Sequence, residues 1–566
     1  MFMQASARLW RTNLVDWRAG FSTTMGPGMV YLESLRNHER EGVPSGAGTD
    51  TSKGFDLTKM HRLLAQLGDP QDAWQAVHIS GTKGKGSTAT MLASIASAAG
   101  LKTGCYTSPH VVSLHERILM DGKPITSKDL DQALVTVQPT AQGLSHASPE
   151  LPPPSHFEVL TAAAFAHFAA AGTDLAVVEV GLGGARDATN AFRPAGLALS
   201  VVTPIGSDHL DALGGSVRSV AAAKAGVLKA GRPLVLAPQP LHEAHQEIKR
   251  EGVYLCFVRT GGLEGLQWDG SEAPCRRGVK RGNSLCRVLC VVDCGPFFGG
   301  LCGWTPEILT HRLGCPVIEV ADEVELEFAR GGEQHPAAPA IVRVLGSTVA
   351  AALGLQQGDC IEMKLGMEGV HQLSNAATAI TAAAVLASEG ILQGLTLEGL
   401  RLGLSRAQLP GRFQRCRLAE HRAGPVLIVD GAHTPEACAA LAASLRRAFP
   451  EPSPVALVLA AAADKDASGM CAALGALRPV AVFPTEVEVA GSGARAMAPG
   501  SIMAAWQFNV PRPGRVMMQP SVVAAVERAR MELGGVREGG GPGVILVTGS
   551  MHAAGAALRR LHLVPA

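Results

Sequence analysis

The chain has 566 residues, is 47% hydrophobic, and sets 50 Lys and Arg against 49 Asp and Glu for a net charge of +1. That length accommodates roughly two to four domains, each with its own core. The charge balance gives no electrostatic case for nucleic acid or an anionic membrane as partner, and no apolar run approaches the ~18–20 residues that span a bilayer.

In chain order, residues 1–24 come first. Arg8, Arg11 and Arg18 are interleaved with Trp10, Leu14, Val15, Trp17 and several Ser and Thr, and Asp16 is the sole acid. This Arg-rich, acid-poor, amphipathic pattern is that of an organellar presequence over 1–25, weighed against a frayed tail. Mitochondrial matrix import is the expectation, with a cytoplasmic location as the alternative. Residues 29–41 and 55–67 carry apolar positions at helical spacing, separated by a Gly/Ser/Pro/Asp loop. Residues 73–80 are apolar and partly β-branched, a buried strand. They run into Gly81-Thr82-Lys83-Gly84-Lys85-Gly86-Ser87, and a helix is predicted over 88–99. Glycines at 81, 84 and 86 let the backbone turn tightly and aim N–H groups at an anion. Lys85 adds a point charge for β/γ-phosphates and Ser87 offers a hydroxyl to Mg²⁺. The helix dipole directs its positive end at the same place. A surface Gly/Lys turn is the bland alternative, but strand, glycines, Lys-Gly-Ser and helix in this order favour a nucleoside triphosphate.

The alternation continues. A strand over 102–106 ends at Thr107-Ser108-Pro109-His110, and 144–154 is a polar, Pro-rich connection before a helix over 157–171. The β-branched run 174–180 leads into Gly181-Leu182-Gly183-Gly184, and the strand 197–203 leads to Gly206-Ser207-Asp208-His209. This predicts a doubly wound α/β sheet with ligands at the carboxyl ends of its strands. Ser108, Glu179 and His209 sit at such ends. Mg²⁺ prefers oxygen donors, so it suits the first two better than His209. Each alone is more often structural; beside a phosphate loop they favour a metal–nucleotide site. From 252 to 305 the periodicity breaks into an insertion rich in Gly, Arg and Cys, with six of the chain's 12 cysteines. Four of these thiols could hold Zn²⁺, but no CxxC knuckle is present, so a plain insertion is favoured. The scattered remainder is no disulfide framework and fits a reducing compartment. Strands are predicted over 317–328 and 340–344, a long Ala-rich helix from 369 to 388, and a hinge at 408–411. A second, smaller α/β alternation follows: strands 426–429, 455–460 and 544–548, with helices 435–449 and 521–533. The expected division is 26–408, a hinge at 409–412, and 413–566.

GTKGKGS (81–87), TSPH (107–110), FEVLT (157–161), EVGLGGARDATN (179–190), SDHLDALG (207–214), KAGVLKAGRP (224–233), GVHQLSN (369–375), PGR (410–412) and DGAH (430–433) occur in that order. Together they resemble the folylpolyglutamate synthase/dihydrofolate synthase family, a branch of the Mur-type ATP-dependent amide ligases. The resemblance implies a two-domain α/β fold, with an N-terminal P-loop doubly wound sheet and a smaller C-terminal Rossmann-like domain. It implies that Gly81, Thr82, Lys83, Gly84, Lys85, Gly86 and Ser87 cradle the ATP phosphates, and that Asn375, Arg412, Asp430 and His433 hold ATP from across the interface. Ser108, Glu179 and His209, with Ser87, match magnesium ligands, and a monovalent cation accompanies them. Thr107, Thr161, Arg186, Asp187 and Ala188 match positions lining a pterin site, joined on weaker local similarity by Phe55, Asp56 and Leu57. Lys224 matches a lysine that is carbamylated and serves a second metal. Lys85, Lys224, His209 and Glu179 are the implied catalytic group.

Three departures bear on the glutamate site and not on the reaction class. The family's usual Glu-Lys-Ala-Gly is Ala223-Lys224-Ala225-Gly226 here, Thr434 follows DGAH where bacterial members have Asn, and Thr548-Gly549-Ser550-Met551-His552 replaces the common Gly-Ser-Leu-Tyr. The implied activity is ligation of L-glutamate to dihydropteroate through an acyl phosphate. FEVLT and GARDATN look closer to that activity than to the Arg-containing first motif of dedicated polyglutamylating enzymes. Adding glutamates to a folate, or doing both, is the alternative. A catalytically dead nucleotide-binding protein is disfavoured by intact Lys85, Glu179, His209, Lys224 and Asp430, and a P-loop motor or GTPase leaves HQLSN, PGR and DGAH unexplained. The implied partners are small-molecule substrates only, met by a monomer. Residues 1–30 fused to a fluorescent reporter are expected to carry it into mitochondria; a reporter that stays diffuse in the cytosol would overturn the presequence reading.

Overall fold

The computed structural model describes residues 25–49, 54–147, 152–206, 208–259, 316–328, 339–489, 495–534 and 543–566. All but the last residue of the expected presequence and most of the expected insertion lie outside these residues, five of its six cysteines included.

The first elements are α1 (Pro27–Glu33), α2 (His38–Glu41) and α3 (Thr58–Gln66). The single helix expected over 29–41 is broken because Asn37 is extended and its side chain accepts from Glu39 N at 2.9 Å, capping a new start. Then come β1 (Gln75–Ser80), α4 (Lys85–Ala98), β2 (Thr103–Tyr106), β3 (Ile118–Met120) and β4 (Lys123–Pro124). Helix α4 begins three residues before the expected position, directly after the turn at Gly84. Helix α5 (Ser127–Ala147) runs on into the expected connection at 144–154, and α6 (His156–Ala171) starts from a capping box between Ser155 and Glu158. Strands β5 (Leu175–Glu179) and β6 (Leu197–Val202), helix α7 (Val217–Ala225), β7 (Leu234–Leu236), α8 (His242–Arg259) and β8 (Val317–Glu319) complete the first sheet.

Its order is β4-β3-β2-β5-β1-β6-β7-β8, parallel from β2 to β8. Central β1 pairs with β5 on one side and β6 on the other, aligning Ile79 with Glu179 and Val201. The chain reverses direction across the sheet here, so the turn after β1 and the ends of β5 and β6 meet at a switch point. Side chains alternate: Val77, Ile79, Val177 and Val201 face the core under α4, while Ala76, Ala176 and Val178 face the core under α5 and α6. In the latter, Trp74 meets Phe165, Phe168 and Phe192 edge-on at centroid distances of 5.4, 5.8 and 5.7 Å.

The strand expected over 317–328 is two strands. A single turn of helix, α9 (Val320–Glu323), separates β8 from β9 (Val324–Phe328), which leaves the large sheet for a three-stranded antiparallel one with β10 (Ala340–Val344) and β11 (Cys360–Met363). Buried Glu323 holds this corner by accepting from Val349 N (3.0 Å) and Thr348 Oγ1 (2.8 Å) at the start of α10 (Ser347–Leu353). The Ala-rich α11 (His371–Ser388) and α12 (Leu397–Arg406) then pack against α4, where small side chains permit close approach.

Past residue 412 a second sheet forms from β12 (Gln414–Leu418), β13 (Val426–Val429), α13 (Pro435–Ala448), β14 (Val455–Leu459), α14 (Ala467–Gly475), β15 (Ala481–Pro484), α15 (Pro499–Asn509), β16 (Arg515–Val516), α16 (Val522–Gly534), β17 (Val544–Thr548), α17 (Met551–Arg560) and β18 (Leu563–Pro565). Its order is β16-β15-β14-β17-β13-β12-β18. The strands expected at 426–429, 455–460 and 544–548 are its three adjacent central ones.

Arg117, just before β3, is 1% exposed and forms a paired hydrogen bond with Glu39 of α2 at 2.8 and 2.6 Å. The Glu39 carbonyl in turn accepts from Arg495 Nη1 at 2.6 Å, so α2 is held between the two sheets. Burial works to raise the Glu39 carboxyl, but the charge and hydrogen bonds of Arg117 outweigh it and hold it at about 2. Because the folded value lies below the ordinary 4.5, the pair stabilises fully above about pH 4.5 and loses its effect as the pH falls toward 2. Glu39→Gln is therefore expected to lower the urea midpoint at pH 7, and the gap from the unsubstituted protein should close on acidification; a gap independent of pH would refute the pairing.

Candidate active site

Gly84 shapes the turn after β1. Its φ of 87° is left-handed, and a Cβ there would lie 2.1 Å from Asn375 Oδ1 on α11. The turn delivers Lys85 to the first position of α4, with its Nζ 3.8 Å from Glu179 Oε1 at the end of β5. Glu179 Oε2 accepts from Ser108 N at 3.0 Å, so the ends of β2 and β5 and the loop after β1 converge on one buried carboxylate. Burial pushes this carboxyl up, and Lys85 and the Ser108 N–H pull partly back. The hydroxyls of Thr82 and Thr88, within and just after the loop, are buried without a hydrogen-bond partner.

His209 holds a φ of 60° and is pushed down to about 4, by burial first and by Lys465 next, so its ring is neutral at neutral pH. Lys224, buried on α7, donates to Gly81 O at 2.7 Å from behind the loop. Burial, then Lys85, lowers it to about 7. The Glu179 carboxylate and the Ser87 and Ser108 hydroxyls are oxygen donors of the kind a hard divalent cation takes, and the neutral His209 imidazole suits it less well. No group of three or more His, Cys, Asp and Glu among the described residues could hold a metal, so such an ion would draw on hydroxyls and substrate phosphates.

The second sheet closes over this edge. Lys83 Nζ reaches Asp208 Oδ2 at 2.5 Å and Thr434 Oγ1 at 3.2 Å, bridging the sheets. Thr434 also caps α13 by accepting from Ala437 N. Burial opposes the Asp208 charge, but Lys83 prevails and holds the carboxyl below its usual range. Asp430 accepts from Phe413 N and Ala432 N, both at 2.8 Å, tying DGAH to the segment after Arg412. His433 Nδ1 bonds Gly431 O at 2.8 Å, which places its proton on Nδ1 and leaves Nε2 as an acceptor; burial lowers this histidine to about 4. Asn375 donates to Gln372 Oε1 at 2.8 Å, and the charge of Arg412 reaches both Glu179 and His371.

The expected pterin residues divide. Thr161 Oγ1 lies 3.1 Å from Tyr106 OH, and Thr107, next to it in chain, is tied back through its N–H to Arg117 O at 3.0 Å. Arg186 donates to Phe55 O at 2.8 Å, which brings that segment to the 181–190 loop. Asp187 is turned into its own loop, accepting from Leu182 N (2.7 Å) and Thr189 N (3.0 Å), and Ala188 is buried. Asp56 accepts from Thr58 N and Oγ1 at 2.9 and 2.7 Å, and Leu57 precedes α3 directly, so both serve the start of that helix. Sequence reasoning assigned no role to Asp208, to Tyr106 or to the cross-sheet part of Thr434. Asp208 stood within SDHLDALG; its partner Lys83 is 125 positions away.

The Mur ligase middle domain model matches residues 79–239, and the Mur ligase, glutamate ligase domain model matches 411–551. A dihydrofolate synthase/folylpolyglutamate synthase of Bacillus subtilis is 30% identical over 419 residues, covering 73% of this chain and 77% of its own. A human folylpolyglutamate synthase, mitochondrial, is 32% identical over 289 residues, 48% of each chain. Among solved structures, a Mycobacterium tuberculosis folylpolyglutamate synthase complexed with ADP and AMPPCP is 26% identical, with a TM-score of 0.68, over 94% of this chain and 97% of that one. Gly84→Ala forces a strained backbone and a collision with Asn375, so ADP affinity by calorimetry is expected to fall at least about tenfold with far-UV circular dichroism unchanged; unaltered affinity would count against the loop as the phosphate site.

Proposed function

The chain belongs to the dihydrofolate synthase/folylpolyglutamate synthase family of ATP-dependent glutamate ligases, and from that premise we propose that it joins L-glutamate to the carboxylate of 7,8-dihydropteroate, giving dihydrofolate, ADP and phosphate. The observation that carries the proposal is the convergence of Lys85, Ser108 and Glu179 at a switch point that residues of a second sheet close over. The preference for dihydropteroate is supported by the FEVLT motif, whose Thr161 pairs with Tyr106 and which lacks a basic residue. Polyglutamylation of a reduced folate is the second reading, supported by the names of the Bacillus subtilis and human relatives.

A carboxylate does not expel oxide at neutral pH. The substrate carboxylate oxygen attacks the γ-phosphorus of ATP, the bond to ADP breaks, and an acyl phosphate results. The glutamate amine then forms the amide bond, phosphate leaves, and the amine gives up a proton. The N–H groups of the 81–87 loop and Lys85 hold the phosphates and neutralise charge on the transferring group. Arg412, Asp430, His433 and Asn375 hold the nucleotide from the other wall. Glu179, Ser87, Ser108 and His209 would hold magnesium, which when bound adds positive charge at the phosphate oxygens. The closed cleft excludes water that would hydrolyse the acyl phosphate.

Lys224 is proposed as a carbamylated lysine. Its buried amine, lowered to about 7, is substantially unprotonated at neutral pH. The neutral amine forms an N–C bond with carbon dioxide and loses one proton, which leaves an anionic carbamate behind the loop. The mitochondrial location suggested by residues 1–24 belongs to this proposal, with the mitochondrial human relative in support.

ADP release should be strictly glutamate-dependent and greater with dihydropteroate than with tetrahydrofolate as acceptor; the reverse ranking would select the second reading. Lys85→Ala should lower turnover by about two orders of magnitude or more while retaining the fold, and near-normal turnover in that variant would sink the ligase assignment at this site.

A further inference from the structure

The loop that carries Thr107 and Ser108 is held by both sheets. On its own side, Glu116 accepts from Val111 N (2.8 Å), Val112 N (2.7 Å) and Ser113 N (2.7 Å), so one buried carboxylate satisfies three successive N–H groups of the turn. The carbonyls of Val111 and Val112 are held from the second sheet, while that of Ser113 accepts from Glu116 N at 3.0 Å. Arg559, in the last turn of α17, donates from Nη1 to Val111 O at 2.8 Å and to Val112 O at 3.3 Å. Val111 itself is buried in the core of the second sheet, among Leu427, Val429, Val458 and Ala554, although the chain on both sides of it belongs to the first sheet. Gly555 leaves the room for this contact: a Cβ there would lie 2.2 Å from Val111 O and 2.8 Å from Arg559 Nη1.

We propose that Arg559 is a positioning residue, a clamp through which the second sheet sets the loop bearing Thr107 and Ser108. The role rests on the functional reading given above, in which Thr107 lines the acceptor site and Ser108 holds the metal. Arg559 acts through the backbone carbonyls of Val111 and Val112. It fixes two carbonyls three and four residues beyond Ser108, and Glu116 holds the N–H groups of 111–113 from the opposite side, so the constraint passes back along the chain from a fixed segment. With the turn in this place Ser108 N meets Glu179 at 3.0 Å. The acceptor pocket is thereby coupled to closure of the second sheet by a route separate from the Lys83 bridge to Thr434.

The test compares Arg559→Gln, Arg559→Lys and Gly555→Ala in the full chain. Loss of a charged donor to two carbonyls is expected to raise the acceptor KM about tenfold in Arg559→Gln, with ADP affinity within about twofold and Tm nearly unchanged. Arg559→Lys, which keeps a cationic donor, should recover much of the loss. Gly555→Ala, which keeps the guanidinium but pushes the turn away, should reproduce it. Amide exchange over residues 107–117 should quicken in Arg559→Gln. Unchanged exchange would overturn the clamp, and faster exchange with an unchanged acceptor KM would overturn its coupling to the site. A parallel fall of ADP affinity and Tm that lysine does not repair would show a merely structural arginine. Glutamate-dependent ADP release by the unsubstituted protein reports separately on the functional reading.

Discussion

One ammonium group, that of Lys83, is shared between an acid of the first sheet and a hydroxyl of the second, and that sharing joins the two walls of the cleft. Lys83 and Lys85 stand in the loop, with Lys224 behind it and Lys465 opposite. Asp208 and Glu179 answer only part of that charge. The excess positive field suits phosphate, and together with burial it keeps His209 and His433 unprotonated. It also makes the Lys224 ammonium costly to maintain. Affinity for an anion and the protonation states of the groups around it thus have one origin.

Much of the central fold was legible because parallel strands buried on both faces must be continuous apolar runs. Strands β1, β5, β6, β13, β14 and β17 lie within a residue or two of those runs. Where this constraint relaxes, legibility fails. Residues 317–328 look uniformly β-forming, yet one helical turn sends their second half into another sheet. The apolar spacing across 29–41 concealed a break made by a single Asn side chain. Edge strands such as β16, only two residues long, carry no periodicity to read.

The site follows the same division. Ser108, Glu179 and His209 could be picked out because each sits where a strand ends, and the loop because its glycines announce it. Contacts that join the sheets left no local trace. Lys83 and Thr434 are 351 positions apart, and Arg559 and Val111 are 448 apart. Asp187 and Asp56 show another side of this: a polar residue in a recognisable motif also shapes its own loop or helix start.

The backbone at His209 has a consequence for how this protein can change. A φ of 60° puts a non-glycine residue in a region that costs it about 1 kcal/mol, so glycine would be the more comfortable occupant. Selection for thermal tolerance alone would favour that exchange and discard the imidazole. With the role proposed for His209 above, robustness and activity pull in opposite directions at this position. Stabilised descendants of this chain have to find their gains elsewhere, in parts of the molecule remote from the mouth of the cleft.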